Sequence, residues 1–168
     1  MEETFKVINR MKADGIIEDY AVGGAIGAMF YIAPFSTEDL DVFFSVTTTE
    51  TGLDLLGPIY RYLAMAGYRA EGAMMHVEGW PVQFLPLYNT LIEEAVREAD
   101  ERAVSGVPVR VMQAEHLVAI MLQTGRPKDY ARIAGFLEAG VVDNEKLSEI
   151  LTRHGLKNKW NENRSRFS

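Results

Sequence analysis

The chain of 168 residues contains no cysteine. Disulfide bonds and thiolate zinc sites are therefore excluded, and we expect an intracellular, cytoplasmic protein. Long apolar runs are also missing, because the most apolar stretch, residues 21–35, is rich in glycine and too short for a membrane span, which needs roughly 20 apolar residues. The N-terminal segment MEETFKVINRMKADG begins with acidic residues and lacks the apolar centre of a signal peptide. We accordingly expect no association with a membrane.

Positive charge is scarce as well. The chain has 17 lysines and arginines against 24 aspartates and glutamates, and its net charge is −7. A protein of this charge has little general affinity for the nucleic-acid backbone, so general DNA binding is not expected. The C-terminal tail differs, since from Arg153 onward five basic residues stand against the single acidic Glu162, a net charge of +4. This tail is either a solvated last helix or a patch for RNA, a nucleotide or an acidic partner.

Helical and strand-like patterns follow one another in an order that predicts an α/β (α+β) fold. We expect a small mixed β-sheet flanked by helices in residues 1–111, and a C-terminal helical subdomain with the basic tail in residues 112–168. The predicted strands are IIEDYAV, DLDVFFSV, the hairpin AMMHV and WPVQFLPL with its turn at Glu78-Gly79, and VPVRVM. The predicted helices are residues 3–13, AIGAMFYIA ending near Pro34, GLDLLGPIYRYLAMAG, NTLIEEAVREADERA, and then Ala114–Gln123, Pro127–Glu138 and Asn144–His154.

Two short motifs carry the chemistry. Asp39 and Asp41 stand one residue apart at the start of a strand, so their side chains share one face of it, opposite Leu40. Carboxylates in that arrangement repel each other unless a cation lies between them, and two of them suit a hard divalent cation such as Mg²⁺. Gly23 and Gly24 precede a short helix, where backbone N–H groups can approach a phosphate. Taken alone, these motifs also fit a solvated strand end and an ordinary turn.

Together, the glycine pair and the Asp-x-Asp strand resemble the signature of the nucleotidyltransferase superfold, to which the DNA polymerase beta-like enzymes belong. The phrase VGGAIGAMFYIAPFSTEDLDVF is most similar to nucleotidyltransferase toxins of abortive-infection (AbiE-type) systems, and EHLVAIMLQTGRPKDYARI adds to that resemblance, which covers about residues 16–137. The resemblance implies that Gly23 and Gly24 cradle a nucleoside triphosphate and that Asp39 and Asp41 ligate Mg²⁺ or Mn²⁺. It further implies transfer of a nucleoside monophosphate to a hydroxyl of RNA, a protein or a small molecule, and a cognate antitoxin as partner.

The chain departs from the family pattern at two positions. Gln83 stands where the resemblance predicts a third catalytic carboxylate, and a carboxamide cannot accept a proton as a general base. Met121 stands where related proteins frequently have a lysine. The hairpin register places His76 on the face of Gln83, so His76 is either a substitute base or a strand histidine without a role. An alternative to the active enzyme is therefore a catalytically weak or inactive protein of the same fold that binds a nucleotide or a partner.

Further candidates lie on the helical side and among the aromatic residues. Arg126 and Lys128 are either phosphate ligands or ordinary residues of a helix start. An aromatic residue that stacks on the nucleobase cannot be singled out by spacing from the set Tyr60, Tyr62, Tyr68, Phe84 and Tyr88.

Overall fold

Seven strands form one mixed sheet within residues 1–47 and 54–168, the parts of the chain that the computed structural model describes. The sheet order is β3-β4-β5-β2-β1-β7-β6. The strands are β1 (Asp19–Val22), β2 (Leu40–Ser45), β3 (Arg69–Glu71), β4 (Met74–Val77), β5 (Trp80–Pro86), β6 (Asp100–Val104) and β7 (Val107–Val111). The α-helices are α1 (Glu2–Ala13), α2 (Gly24–Ala28), α3 (Gly57–Met65), α4 (Thr90–Arg97), α5 (Ala114–Thr124), α6 (Pro127–Glu138), α7 (Asn144–Arg153) and α8 (Lys157–Asn163), followed by a 3-10 turn at Arg164–Arg166.

Strand β2 lies at the centre of the sheet. It pairs antiparallel with β1 and parallel with β5, and this second register sets Asp41 beside Gln83. On its other edge β1 pairs parallel with β7. The predicted mixed sheet with flanking helices is therefore present. No helix of the described residues is both long and apolar enough to cross a membrane.

The two faces of β2 pack against different helices, as the alternation of its side chains predicts. Leu40, Val42 and Phe44 belong to a buried cluster that also contains apolar residues of α1 and α3. Phe43 belongs to a second cluster, formed with residues of α4, α5, α6 and α7. Asp41 shares the face of Phe43, so its carboxylate points to the side on which the C-terminal helices pack.

The hairpin prediction is confirmed in its register. Val77 pairs with Trp80 and His76 with Pro81. Glu78 and Gly79 have φ angles of 51° and 81°, the left-handed backbone that a two-residue hairpin turn requires. The three C-terminal helices α5, α6 and α7 also lie within a residue of their predicted bounds.

Three predictions of local structure were wrong. The helix expected through Ala103 ends at Arg97, and residues 100–104 form strand β6, which pairs with β7 around a turn at Ser105-Gly106 with φ angles of 50° and 83°. Strand β3 was missed because its side chains are exposed at the edge of the sheet and show no alternation. The helix expected to end near Pro34 ends at Ala28 and continues only as a hydrogen-bonded turn.

Two remaining expectations concern a helix start and the tail. The helix predicted from Gly52 falls partly on residues 48–53, which lie outside the described residues, and its described part begins at Gly57.

The basic tail packs on the rest of the protein. The centroids of its Trp160 and Phe167 rings lie 4.5 Å apart. Phe167 in turn stacks on Tyr130 of α6 at 6.3 Å, so the end of the chain is held against the C-terminal helices.

Candidate active site

A cavity of about 730 Å³ opens on the face of the sheet that carries Asp41. Its walls come from the first turn of α2, the loop 36–39, strands β2, β4 and β5, helix α5 and the start of α6. Binding sites for small molecules typically enclose roughly 300–1,000 Å³, so the cavity has the size of such a site. Of the sequence-predicted residues it brings together Gly24, Asp39, Asp41, Gln83, Arg126 and Lys128.

The glycine pair lies directly against the acidic strand. The Gly23 N–H donates to the backbone oxygen of Asp41 at 3.1 Å. Gly24 has a φ of +56°, and any Cβ at this residue would overlap the carboxylate of Asp41. A Cβ at Gly23 would lie 2.7 Å from a ring carbon of Phe43, closer than real Cβ contacts. Both glycines are therefore needed for the first turn of α2 to approach β2 so closely.

The electrostatics of Asp41 favour a cation at its carboxylate. Burial, and secondly the charge of Asp39, raise its pKa to about 6, while the cationic side chains of Arg126, Lys128 and Arg132 act in the opposite direction. A partly buried acid held beside a second acid is stabilised by a divalent metal ion. Carboxylate oxygens are the hard ligands that Mg²⁺ prefers, and the carboxamide of Gln83, which lines the same cavity, can also offer an oxygen. These residues fit the metal that the sequence resemblance implies.

Positive charge reaches the cavity from the start of α6. The Arg126 side chain donates to the buried Asp129 at 2.7 Å and 3.1 Å, and its backbone N–H donates to the same carboxylate at 3.1 Å, so Arg126 holds the helix start and also lines the cavity. Lys128 lines the cavity as well. Arg132, one turn further on, lies over the ring of Phe35 at 4.6 Å and also faces the cavity. Sequence reasoning missed Arg132, although its i+4 spacing from Lys128 places both on one side of a helix.

Gln83, where the sequence resemblance predicts a third carboxylate, is paired with Asp41 in the sheet and lines the cavity. His76 is not brought to the cavity: it lies on the same face of the sheet, but its Nε2 atom contacts Glu71 at 2.9 Å near the edge strand. Met121 is 5% exposed and belongs to the buried cluster beneath the cavity. The surface there is apolar, whereas the lysine that the sequence resemblance predicts would add a charge.

A second group of titratable residues lies away from the cavity. Ligand atoms of Glu94, Glu98 and His116 lie within 4.8 Å of one another. The buried Glu94 carboxylate already accepts hydrogen bonds from Arg153 at 2.6 Å and 2.9 Å and contacts His154 at 2.7 Å. The Arg153 hydrogen bonds are the main reason why the pKa of Glu94 lies well below its usual value. This network joins α4, α5 and the end of α7, and its carboxylate is occupied by protein donors.

The fold has known relatives among solved structures, whereas no protein-family model and no curated protein matches the sequence. The solution structure of the antibiotic-resistance factor ANT(2'')-Ia is 14% identical and superposes with a TM-score of 0.55, over 98% of this chain and 96% of that one. The crystal structure of ANT(2'')-Ia in complex with adenylyl-2''-tobramycin is 15% identical, with a TM-score of 0.56 over 93% of this chain and 98% of that one. An antigenic nucleotidyltransferase-like protein from Paracoccidioides brasiliensis is 14% identical, with a TM-score of 0.57 over 98% of this chain and 92% of that one.

The chain has the nucleotidyltransferase fold. The TM-scores of 0.55 to 0.57 establish the architecture, whereas identities of 14% and 15% establish no shared substrate. The predicted superfold and fold class are thereby confirmed. The narrower resemblance to abortive-infection toxins, and the roles assigned to individual side chains, stay predictions.

Proposed function

We propose that the protein transfers a nucleoside monophosphate from a nucleoside triphosphate to a hydroxyl acceptor in the cavity. The observation that carries this proposal is the pairing of two charge sets in one cavity. Asp39 and Asp41 offer ligands to a divalent metal, and Arg126, Lys128 and Arg132 offer positive charge to phosphates. A metal–triphosphate complex is complementary to both sets, since it presents a cation and an anionic chain side by side.

Different residues of the cavity would bind the metal and the triphosphate. Asp39 and Asp41 would hold Mg²⁺ or Mn²⁺, and the metal when bound would offset the negative charge that develops on the transferred phosphoryl group. The backbone at Gly23 and Gly24, together with Arg126 and Lys128, would hold the triphosphate. In the reaction the acceptor oxygen bonds to the α-phosphorus, the bond from that phosphorus to the bridging oxygen breaks, and pyrophosphate leaves. Gln83 cannot take the acceptor's proton, so the proton would pass to solvent.

Label transfer tests the proposal. The protein is incubated with each of the four α-labelled nucleoside triphosphates, with Mg²⁺ or Mn²⁺, and with RNA, protein and small-molecule fractions of a cell extract. We expect label on one fraction, lost in Asp41→Asn and retained in Glu18→Gln, which removes an exposed carboxylate outside the cavity. The small-molecule fraction is included because ANT(2'')-Ia, which has the same fold, was solved with adenylyl-2''-tobramycin. Label that persists in Asp41→Asn would contradict the proposal.

A second candidate function is nucleotide or partner binding without transfer, and Gln83 favours it. The side chain beside Asp41 in the sheet has no proton-accepting group. A binding protein should be stabilised by the Mg²⁺ complex of a nucleoside triphosphate, by about 2.7 kcal/mol at 100 times the dissociation constant, without transferring label. Gln83→Asp should then create transfer activity. If Gln83→Asp also fails to transfer label, the missing carboxylate does not explain the lack of activity.

The motif resemblance to AbiE-type toxins supports a cytoplasmic toxin with a cognate antitoxin as a narrower form of the proposal. Expression of the chain alone should then arrest growth of the host cell, and Asp41→Asn should relieve the arrest. Co-expression of the protein encoded by the adjacent gene should relieve it too, by forming a complex that co-purifies. Normal growth at a confirmed high level of the active chain would speak against a toxin.

A further inference from the structure

The sequence offers five aromatic residues that could stack on a nucleobase, and the structure places only one of these five in the cavity. The hydroxyls of Tyr60, Tyr62 and Tyr68 donate to Ala73 O at 3.2 Å, Asp14 at 2.6 Å and Glu78 at 2.5 Å, respectively. Phe84 is 2% exposed and belongs to the cluster on the opposite face of the sheet from the cavity. Each of these four therefore has a structural role away from the cavity.

Tyr88 is different. Its side chain lines the cavity, it is 60% exposed, and its hydroxyl has no hydrogen-bond partner within residues 1–47 and 54–168. The ring packs at its edge against Phe43, with 6.4 Å between the ring centroids and 45° between their planes. Phe43 lies two residues beyond Asp41 on the same face of β2. The ring of Tyr88 thus stands beside the proposed metal-binding residues with much of its surface open.

The backbone that carries Tyr88 is held on both sides. Strand β5 ends at Pro86, which pairs with Phe44 of β2. Asn89 caps α4 by accepting from Ile92 N at 2.8 Å, and its amide donates to Gln123 of α5 at 2.9 Å. A side chain presented from an anchored position loses little conformational freedom when it binds a ligand, which favours binding.

The wall that α5 contributes to the cavity is mostly apolar. Leu117, Ile120 and Met121 supply it. The cavity therefore has a charged part, which includes Asp41 and Lys128, and an apolar part on α5, and Tyr88 lines the same cavity close to Asp41. A nucleoside triphosphate is divided in the same way, into a charged phosphate chain and a planar base.

We infer that Tyr88 binds the nucleobase of the nucleoside triphosphate by stacking its ring on the base. The inference rests on the proposed function, because it assigns the base of the same ligand whose phosphates the charged part would hold. Stacking on an aromatic side chain tolerates every base, since each has a π-face, so Tyr88 adds affinity without choosing among the four.

Binding measurements with two ligands test the inference. Titration calorimetry compares each of the four nucleoside triphosphates with inorganic tripolyphosphate, all as Mg²⁺ complexes, on the full chain. Tyr88→Ala should weaken binding of every nucleoside triphosphate by roughly 5- to 150-fold, the range expected for one stacked base, and leave tripolyphosphate affinity unchanged. Tyr88→Phe, which keeps the ring, should restore nucleotide affinity. Tyr62→Ala, which removes a ring outside the cavity, serves as the control.

The outcomes separate this inference from the function on which it rests. If the unaltered protein binds neither ligand, the proposed function fails and the inference fails with it. If Tyr88→Ala binds nucleotides as the unaltered protein does, or loses both ligands equally, the stacking role is overturned while the phosphate site stands. Unchanged nucleotide binding together with reduced label transfer would assign Tyr88 to the acceptor and would likewise overturn it. Matching unfolding midpoints of the variants exclude a folding defect.

Discussion

Replacing Asp41 with asparagine should stabilise the metal-free protein at neutral pH, although the same change should abolish transfer activity. The Asp41 carboxylate is partly buried beside Asp39, and its side chain has no hydrogen bond within the described residues. Asparagine has nearly the same shape and carries no charge. It therefore removes the cost of burying a negative charge beside Asp39, and no hydrogen bond of the Asp41 side chain is lost. A residue whose removal stabilises a protein is characteristic of a site built for a ligand.

The size of the effect follows from the pKa. An aspartate carboxyl ordinarily has a pKa of 3.8, and that of Asp41 is raised to about 6, first by burial and then by Asp39. At ~1.4 kcal/mol per pH unit, ionised Asp41 lowers the free energy of unfolding by about 3 kcal/mol. The folded state binds the proton more tightly than the unfolded state, so stability falls as the pH rises between the two values. The penalty is absent below pH 3.8 and complete above about pH 6.

Urea unfolding followed by tryptophan fluorescence, with a chelator present, measures the difference. Asp41→Asn should exceed the unaltered protein in free energy of unfolding by up to about 3 kcal/mol near neutral pH, and the gain should shrink towards zero at about pH 4. Glu38→Gln, which removes an exposed carboxylate, should change stability by less than about 0.5 kcal/mol. A destabilised Asp41→Asn protein at neutral pH, or a gain that does not decrease in acid, would refute the electrostatic account.

Two further predictions concern Gly24 and the buried Glu94. Gly24→Ala should lower the free energy of unfolding by about 1–3 kcal/mol in thermal or urea unfolding, because alanine is strained at a φ of +56° and its Cβ overlaps the Asp41 carboxylate. Gly15→Ala, with a φ of +74° and open space around it, is the matched control, and an equal loss in both variants would argue against the overlap. Glu94→Gln should cost about 1–3 kcal/mol, because the half-exposed Arg153 and the largely buried side chain of His154 lose their charged partner. Because the pKa of Glu94 is lowered, this stabilisation is present above pH 4.5, the ordinary pKa of a glutamate, and is lost as the pH falls through the lowered pKa. Urea unfolding across that pH range measures the loss, with Glu93→Gln, which removes an exposed carboxylate, as the control. A similar loss in Glu93→Gln would count against the network.

Much of the local structure could be predicted from residues close together in the chain. The hairpin turn at Glu78-Gly79 and the helices α5 to α7 depend on backbone preferences and spacings of two to four residues. The common face of Asp39 and Asp41 follows from the pleat of a single strand. Strand β6 was missed because its glutamate, alanine and arginine residues favour a helix, whereas pairing with β7 after a two-residue turn determines the outcome. The turn residues Ser105-Gly106 were the signal that could have revealed it.

By itself, the sequence determined the acidic pair, the glycine pair and their resemblance to the nucleotidyltransferase superfold. Only the tertiary structure decided which other residues join them. Arg132 reaches the cavity and His76 does not, and of five equivalent aromatic residues Tyr88 alone lines it. The contact of Gly24 with Asp41 likewise depends on the pairing of β1 with β2. The physical reason is that strand pairing and helix packing join residues far apart in the chain, and no local periodicity records which of them will meet.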